Sequence, residues 1–115
     1  MKLRLQGNSL RLRLTRSEVS RLQDHGTVEE STSFRFDGSL TYRIESCPGL
    51  ESINTDFSGG VITVRIPAGM VPPWTAGDEA GLYGEDGSLG IAIEKDFRCL
   101  TRAEAEPDAY PHPAQ

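Results

Sequence analysis

The segment KLRLQGNSLRLRL, residues 2–14, alternates leucine with mostly basic residues on both sides of a central Gly-Asn pair. Alternation with a period of two is typical of a half-buried β-strand, so the leucines are predicted on one face and the basic side chains on the other. Gly7-Asn8 is a two-residue connection that fits the primed turns of tight hairpins. The chain is therefore predicted to begin with a β-hairpin.

The register of this hairpin places like charges opposite each other. Counting from the turn, Arg4 pairs with Arg11 and Lys2 pairs with Arg13. Directly opposed like charges destabilise a strand pair unless something neutralises them. Guanidinium groups match the geometry of phosphate and carboxylate, so a bound anion is one source of neutralisation. The sequence thus indicates a candidate anion-binding face formed by these four basic residues.

Carboxylates on a neighbouring strand are the alternative source of neutralisation. Glu94 and Asp96 share one face of the predicted last strand, opposite in parity to Ile93 and Phe97. Solvated charges and ion pairs are the usual occupants of the outer face of a half-buried sheet. An ion-paired surface without a ligand is therefore the simpler interpretation of the basic face.

A short helix is predicted after the hairpin. Thr15 and Glu18 have the spacing of a capping box, in which a hydroxyl and a glutamate satisfy each other's backbone donors. Val19 and Leu22 supply apolar positions, and Gly26 is a stop signal. The helix is expected over about residues 16–24.

The remaining strands are predicted from alternation, β-branched content and turn signals. They form a second hairpin, a third hairpin, a brief strand and a long last strand, over residues 28–36, 40–44, 53–57, 61–66, 82–83 and 89–97. Residues 67–79 contain adjacent prolines and are predicted as a loop or one helical turn.

These elements predict a mainly β fold. Seven or eight short strands with turn-length links indicate a single antiparallel up-and-down sheet, curled into a barrel or folded as a sandwich, with one or two short helices. Residues 1–102 are expected to form one β domain. Residues 103–115 contain acids and prolines with little to bury, and we expect an extended or mobile tail.

Composition narrows the function classes. The 115-residue chain has a formal net charge of −5, which argues against general nucleic-acid binding. It lacks any apolar run of the roughly 18 residues that would span a membrane. Basic residues interrupt the N-terminal leucines, so no signal peptide is predicted. A cytoplasmic protein with Cys47 and Cys99 as free thiols is the expectation.

Cys99 is a second candidate functional residue. It lies between Arg98 and Arg102, a basic setting that stabilises a thiolate. A nucleophile also needs a positioned base, and His25 and His112 are predicted after a helix and in the tail, respectively. A small buried cysteine is the commoner explanation, so Cys99 stands as a candidate reactive thiol only.

Metal and cofactor sites are not predicted. The cysteines and histidines lack the close spacings of structural zinc sites, and the glycines form no phosphate-binding loop. A closed barrel with its charged face inward would resemble a triphosphate-tunnel enzyme, although the Glu-x-Glu-x-Lys signature is missing. That alternative would use Arg4, Arg11, Arg13, Arg43, Arg65 and Lys95 with Glu29, Glu45 and Glu94.

Three segments together resemble a family of small uncharacterised bacterial proteins, a domain of unknown function. They are residues 2–15, KLRLQGNSLRLRLT, residues 93–100, IEKDFRCL, and residues 108–113, DAYPHP. The resemblance implies a bacterial source and a stand-alone domain. It implies no activity, ligand or catalytic residue.

The sequence leaves two functional hypotheses. The first is a non-catalytic binding or accessory domain that self-associates or binds a protein through a strand edge or the region of Trp74, a residue that otherwise plugs the core. The second is a binder of, or an enzyme acting on, a small anionic, phosphorylated ligand at Lys2, Arg4, Arg11 and Arg13.

Overall fold

The computed structural model describes residues 1–97. This part of the chain contains eight strands: β1 Lys2–Gln6, β2 Ser9–Leu14, β3 Thr27–Ser33, β4 Ser39–Cys47, β5 Asn54–Ser58, β6 Val61–Pro67, β7 Gly81–Asp86 and β8 Leu89–Lys95. Two short helices accompany them: α1 Arg16–His25 and α2 Val71–Ala76, the latter preceded by a 3-10 turn at Ala68–Met70.

The strands form two mixed sheets of four strands each. The first sheet has the order β1-β2-β8-β7 and the second has the order β3-β4-β6-β5. Each sheet joins two antiparallel hairpins through a parallel pair, β2 with β8 and β4 with β6. The mainly β class, the eight strands and the two helices agree with the sequence analysis. The prediction of one antiparallel up-and-down sheet is wrong.

Burial explains which strand of each hairpin becomes central. The second strand of every hairpin carries the more apolar inner face, as in β2, where Leu10, Leu12 and Leu14 are buried. The first strand is more polar, and β3 has only Val28 buried. Two hairpins therefore meet through their apolar second strands, and both of these pairs are parallel. Strand propensity alone does not reveal this pairing.

Helix α1 carries the chain from the first sheet to the second. The predicted capping box is present: the Thr15 side chain accepts from the Glu18 backbone, and the Glu18 carboxylate accepts from the Thr15 backbone at 2.8 Å. Val19 and Leu22 bury the apolar side of the helix, and Gly26 ends it in the left-handed conformation. Because α1 separates β2 from β3, the second hairpin starts a new sheet.

Side-chain contacts join the two sheets at their edges, and the backbone does not close into a barrel. At one edge the Met1 ammonium lies 2.9 Å from Glu30 on β3. At the other, Asp86 on β7 accepts from the Thr55 hydroxyl and backbone, both at 2.8 Å. These bonds hold the pKa of Asp86 below its usual value. Glu30 and Thr55 lie two rows apart in the second sheet, whereas Met1 and Asp86 lie at opposite ends of the first.

Several element boundaries differ from the sequence expectations. Strand β3 ends at Ser33, three residues early, because Phe36 and Asp37 adopt positive φ angles of 61° and 65° in the connection to β4. The proline-rich segment forms α2, with prolines in its first turn, where a missing backbone N–H is harmless. Trp74 in α2 is 1% exposed and belongs to the core.

The Met1 ammonium predicts a pH dependence of stability. Burial opposes its charged form most, but hydrogen bonds to Glu18 and Glu30 outweigh burial and raise its pKa above 8.0. The bond to the ammonium likewise helps to lower the pKa of Glu18 despite desolvation. The amine therefore stabilises the fold fully below pH 8 and less as the pH rises, whereas the Glu18 contribution is lost as the pH falls below 4.5.

In protein whose first residue is Met1, we expect Glu18→Gln to lower the free energy of unfolding by about 1 kcal/mol near neutral pH. The glutamine side chain still accepts the hydrogen bond from the Thr15 backbone N–H. The loss in free energy of unfolding therefore measures the contribution of the Glu18 charge. Urea unfolding at several pH values is the measurement. A loss that is the same from pH 6 to well above the pKa of the amine would contradict an ion-pair origin.

The packing at Gly60 leaves no room for a side chain. It ends the β5–β6 turn with φ +77°, and a Cβ there would lie 2.9 Å from the carbonyl oxygen of Ser39. Gly60→Ala should cost about 2–3 kcal/mol, because it adds a backbone clash to left-handed strain. Gly59→Ala is the matched control, since φ is +58° there and no atom lies within 4 Å. Equal losses in thermal unfolding would show that the contact with Ser39 is unimportant.

Candidate anion-binding face

The four basic residues of the first hairpin lie on the outer face of the first sheet. The observed register is the predicted one, with Arg4 opposite Arg11 and Lys2 opposite Arg13. On the other face, Leu10, Leu12 and Leu14 of β2 are buried in the core, whereas Leu5 at the end of β1 is exposed. The inward-facing charged barrel required by the triphosphate-tunnel alternative is therefore absent, because the sheets do not close and the leucines occupy the interior.

Strand β8 completes this face. Ladder pairing extends the basic rows across the sheet: one row is Arg4, Arg11, Ala92 and Tyr83, and the next is Lys2, Arg13, Glu94 and Gly81. Glu94 is one of the two carboxylates expected from the sequence to neutralise the basic hairpin. The parallel β2–β8 pair brings it there.

A groove of about 250 Å³ runs over the small residues of this face. Ser9, Gly90 and Ala92 have short side chains and leave a depression between longer neighbours. Arg4 and Arg11 line it, together with Gln6 and Glu85. We call this depression the arginine groove. Leu10 and Ile91 also contribute to its lining, and the feature that suits an anion is the pair of guanidinium groups.

Glu94 is the principal internal partner of the basic residues. Its Oε1 lies 3.2 Å from Nε of Arg11 and 3.7 Å from Nε of Arg13. The Tyr83 hydroxyl donates to Oε2 at 2.7 Å, and this bond is the main reason that the pKa of Tyr83 is raised above 10.0. Next along the edge, Lys2 lies 3.0 Å from Asp96. Carboxylates thus relieve much of the repulsion within the hairpin.

Arg11 retains hydrogen-bonding capacity. Its Nε is inaccessible to solvent and has no hydrogen bond, because the contact with Glu94 lacks the required alignment. The side chain is nevertheless 39% exposed, so part of the guanidinium faces solvent. Arg4 donates to the Gln6 side chain at 2.9 Å, two residues further along β1.

The outer face of the second sheet provides a contrast. Arg43 lies 2.8 Å from Glu29 and 3.8 Å from Glu45, and Arg65 lies 3.5 Å from Glu45. Cations and carboxylates are equal in number in this network. On the first sheet, Arg11 and Arg13 share a single carboxylate, Glu94, and Lys2 pairs with Asp96. This sharing of one carboxylate by two guanidinium groups makes the first sheet the candidate site.

A larger cavity of about 430 Å³ lies between α1 and the end of β8. Leu14 and Val19 contribute apolar surface, while Arg16, Lys95 and Phe97 are among the other lining residues. None of the four basic hairpin residues lines it. It offers a control position, Arg16, for locating any bound anion.

The cysteines and histidines considered as candidate functional residues lie away from the arginine groove or outside residues 1–97. Cys47 has a free thiol and is half-buried at the end of β4. Cys99, His112 and the predicted tail lie outside the described residues. Among residues 1–97, no group of three histidine, cysteine, aspartate or glutamate side chains is arranged to hold a metal ion.

Sequence reasoning missed part of the arginine groove. Gln6, Ser9 and Glu85 line it, and Tyr83 orients Glu94. Alternation already placed Gln6 and Ser9 on the basic face, so that signal was available. Tyr83 and Glu85 reach the site because β7 pairs with β8. The sequence predicted only a brief strand over residues 82–83 and did not indicate which strand it pairs with.

The fold and the face together define a small two-sheet β domain with a partly neutralised basic surface. Over residues 1–114 the chain matches a family described as a family of unknown function, DUF7009, and it belongs to that family. No curated protein and no solved structure matches the chain. Within the described residues, no helix has the length and apolar content needed to cross a bilayer.

The hydrogen bond between Tyr83 and Glu94 predicts that the pKa of Tyr83 depends on the charge of Glu94. Glu94→Gln removes the charged acceptor, so the pKa of Tyr83 should fall towards 10.0. Ultraviolet absorbance between pH 8 and 12 measures phenolate formation, and Tyr83→Phe identifies the contribution of this residue. An unchanged Tyr83 titration in Glu94→Gln would show that the hydrogen bond is absent in solution.

Proposed function

We propose that this protein is a binding domain that holds the anionic group of a small ligand in the arginine groove. The observation that carries the proposal is the placement of Arg4 directly opposite Arg11 beside that groove, with Arg11 making no hydrogen bond to any of residues 1–97. A phosphate or carboxylate group between them would accept guanidinium hydrogen bonds.

The size of the groove limits what enters it. Pockets for drug-sized molecules enclose about 300–1,000 Å³. At about 250 Å³ the arginine groove is smaller, so it accommodates a single anionic group and leaves the rest of a larger ligand outside. Inorganic phosphate and the phosphate of a monoester are therefore the appropriate first probes.

Glu94 competes with a bound anion for the guanidinium groups of Arg11 and Arg13. It attracts Arg11 and Arg13 in the free protein, and an incoming anion must share those guanidinium groups with it. Arg11 and Arg13 are 39% and 45% exposed, and ion pairs of exposed cations contribute only about 0–1 kcal/mol, so rearranging these pairs does not prohibit binding. Glu94 lowers anion affinity while it stabilises the unoccupied hairpin.

The proposal is a binding function rather than catalysis. The support is the chemistry of the groove: its guanidinium, amide and hydroxyl groups recognise an anion, although Glu85 also lines it. The Ser9 hydroxyl donates to the Gln6 carbonyl and is not paired with a base. We also propose a bacterial cytoplasmic setting and an accessory role. The resemblance of the sequence to small bacterial proteins and the free thiol of Cys47 support that setting.

Phosphate should raise the melting temperature of the wild-type protein in a concentration-dependent manner, because a ligand of the folded state stabilises it by mass action. Arg11→Gln should remove this increase. Arg16→Gln, in the larger cavity, is the matched control and should keep it. Differential scanning fluorimetry at constant ionic strength, with chloride as the reference salt, separates binding from screening.

Absence of a phosphate effect on the wild-type protein, repeated with a nucleotide and with polyphosphate, would overturn the proposed function. Loss of the effect in Arg16→Gln with retention in Arg11→Gln would also overturn it, because the anion would then occupy the other cavity.

Glu94→Gln provides the opposite test. Removing the competing carboxylate should tighten phosphate binding by about threefold to tenfold, which corresponds to roughly 0.7–1.4 kcal/mol. The variant should also be slightly less stable without phosphate, since Arg11 and Arg13 lose their partner. Isothermal titration calorimetry measures the affinity. Weaker binding in this variant would mean that Glu94 supports the anion site rather than competing with it.

A further inference from the structure

All four phenylalanines of the chain are exposed. Phe34 is 61% exposed, Phe36 87%, Phe57 70% and Phe97 63%, although aromatic side chains usually dominate a core. The first three belong to one end of the second sheet, where the β3–β4 and β5–β6 connections lie side by side. We call the surface formed by Phe34, Phe36 and Phe57 the aromatic end.

The backbone holds these two connections together. The Phe34 N–H donates to the Gly38 carbonyl at 2.6 Å and closes the β3–β4 connection. The Thr41 N–H donates to the Gly60 carbonyl at 2.9 Å, which fixes the β5–β6 turn beside the start of β4. Phe57 precedes that turn and pairs with the buried Ile62. These bonds place both connections, and with them the three phenylalanines, at the same end of the second sheet.

Phe36 is exposed at a position of backbone strain. Its φ is 61° and that of Asp37 is 65°, in the left-handed region that costs a side-chain-bearing residue roughly 1–2 kcal/mol. Glycine would remove this cost, and asparagine or aspartate tolerates the conformation better than phenylalanine does. At 87% exposure, Phe36 gains little from burial within the chain. Strain combined with exposure is typical of residues that act in recognition.

Charges flank the strained aromatic residue. The Arg35 guanidinium lies 4.9 Å from the centre of the Phe36 ring. Asp37 follows, and its carboxylate makes no ion pair or hydrogen bond with any of residues 1–97. Phe36 thus has a cation before it and an anion after it in the sequence. We call residues 35–37 the tip; its charges sum to zero, although the chain carries a net charge of −5.

We propose that the aromatic end binds the aromatic end of a second copy of this chain, forming a two-fold dimer. In a two-fold interface, if residue i contacts residue j, then j contacts i in return. In the proposed dimer, Arg35 of each copy faces Asp37 of the other, so the two-fold axis forms this ion pair twice. A tip that carries both charges is complementary to itself, and this complementarity identifies a second copy as the occupant.

The available area sets the strength of the dimer. A fully buried phenylalanine contributes about 150–250 Å². At the observed exposures the three rings offer about 400 Å² per copy, or about 800 Å² in the dimer. Specific stable interfaces bury about 1,200–2,000 Å², so the interaction is expected to be weak and reversible. An aromatic tip also suits a lipid surface, but the net charge of −5 and Asp37 disfavour anionic membranes.

The dimer is independent of the proposed anion site, because the arginine groove lies on the other sheet. Sedimentation velocity and sedimentation equilibrium at about 10 μM to 1 mM protein measure a dimer dissociation constant in the micromolar to millimolar range. The weight-average mass should rise with concentration above the monomer mass of 12.6 kDa. Arg11→Gln should leave this association unchanged.

Charge-reversal variants test the geometry. Arg35→Asp makes the tip acidic and Asp37→Arg makes it basic, so each variant alone should associate at least about tenfold more weakly than wild type. A mixture of the two should form a heterodimer, because the opposite tips attract. Arg21→Asp is the matched control: it makes the same change in charge on the exposed side of α1 and should associate as wild type does.

Phe36→Ser should also weaken association by at least about tenfold, since it removes the most exposed ring. Its melting temperature should be no lower than that of wild type, which shows that the fold is intact. A wild-type protein that remains monomeric throughout the concentration range would overturn the proposal. So would association that is insensitive to Phe36→Ser, or failure of the two charge variants to associate when mixed.

Vesicles distinguish the membrane alternative. Flotation with phosphatidylcholine vesicles, with and without phosphatidylserine, should recover no wild-type protein. Recovery that depends on Phe36, in a protein that remains monomeric, would assign the aromatic end to lipid and overturn the dimer.

Discussion

The parallel pairing of β2 with β8 is the contact on which most of this structure depends. It joins the first hairpin to the last one and places Leu10 and Leu12 beside Ile91 and Ile93, all of which are buried. The burial of these branched side chains contributes on the order of 1.5–3 kcal/mol each relative to exposure. Without this pair, the basic hairpin would have neither a core on one face nor acidic neighbours on the other.

The same pairing controls the electrostatics of the arginine groove. Strand β8 brings Glu94 to the hairpin on its outer face, and β7 adds Tyr83, which orients that carboxylate. A hairpin with Arg4 opposite Arg11 would be unfavourable alone. In the sheet, Arg11 and Arg13 share the Glu94 carboxylate, and this partial neutralisation is the basis of the proposed anion binding. The charge that stabilises the free protein is the charge with which a ligand competes.

The second sheet has a different relation between stability and function. Its outer face is a balanced network of ion pairs, but its aromatic end combines exposed rings with left-handed backbone at Phe36 and Asp37. These features reduce the stability of an isolated chain. The two proposed surfaces are therefore distinct in chemistry as well as in position: one would bind an anion and the other an identical aromatic surface.

The sequence by itself determined the local features. The turn at Gly7-Asn8 and the leucine alternation specify the first hairpin and the register of Arg4 with Arg11, and the capping box specifies the start of α1. These depend on residues close in the chain. The division into two sheets, the parallel pairs, and the contribution of Tyr83 and Glu85 to the site depended on which apolar strands met across a long separation. Alternation fixes the face on which a side chain lies but not the neighbouring strand, and only the burial of the second strand of each hairpin against another decided that.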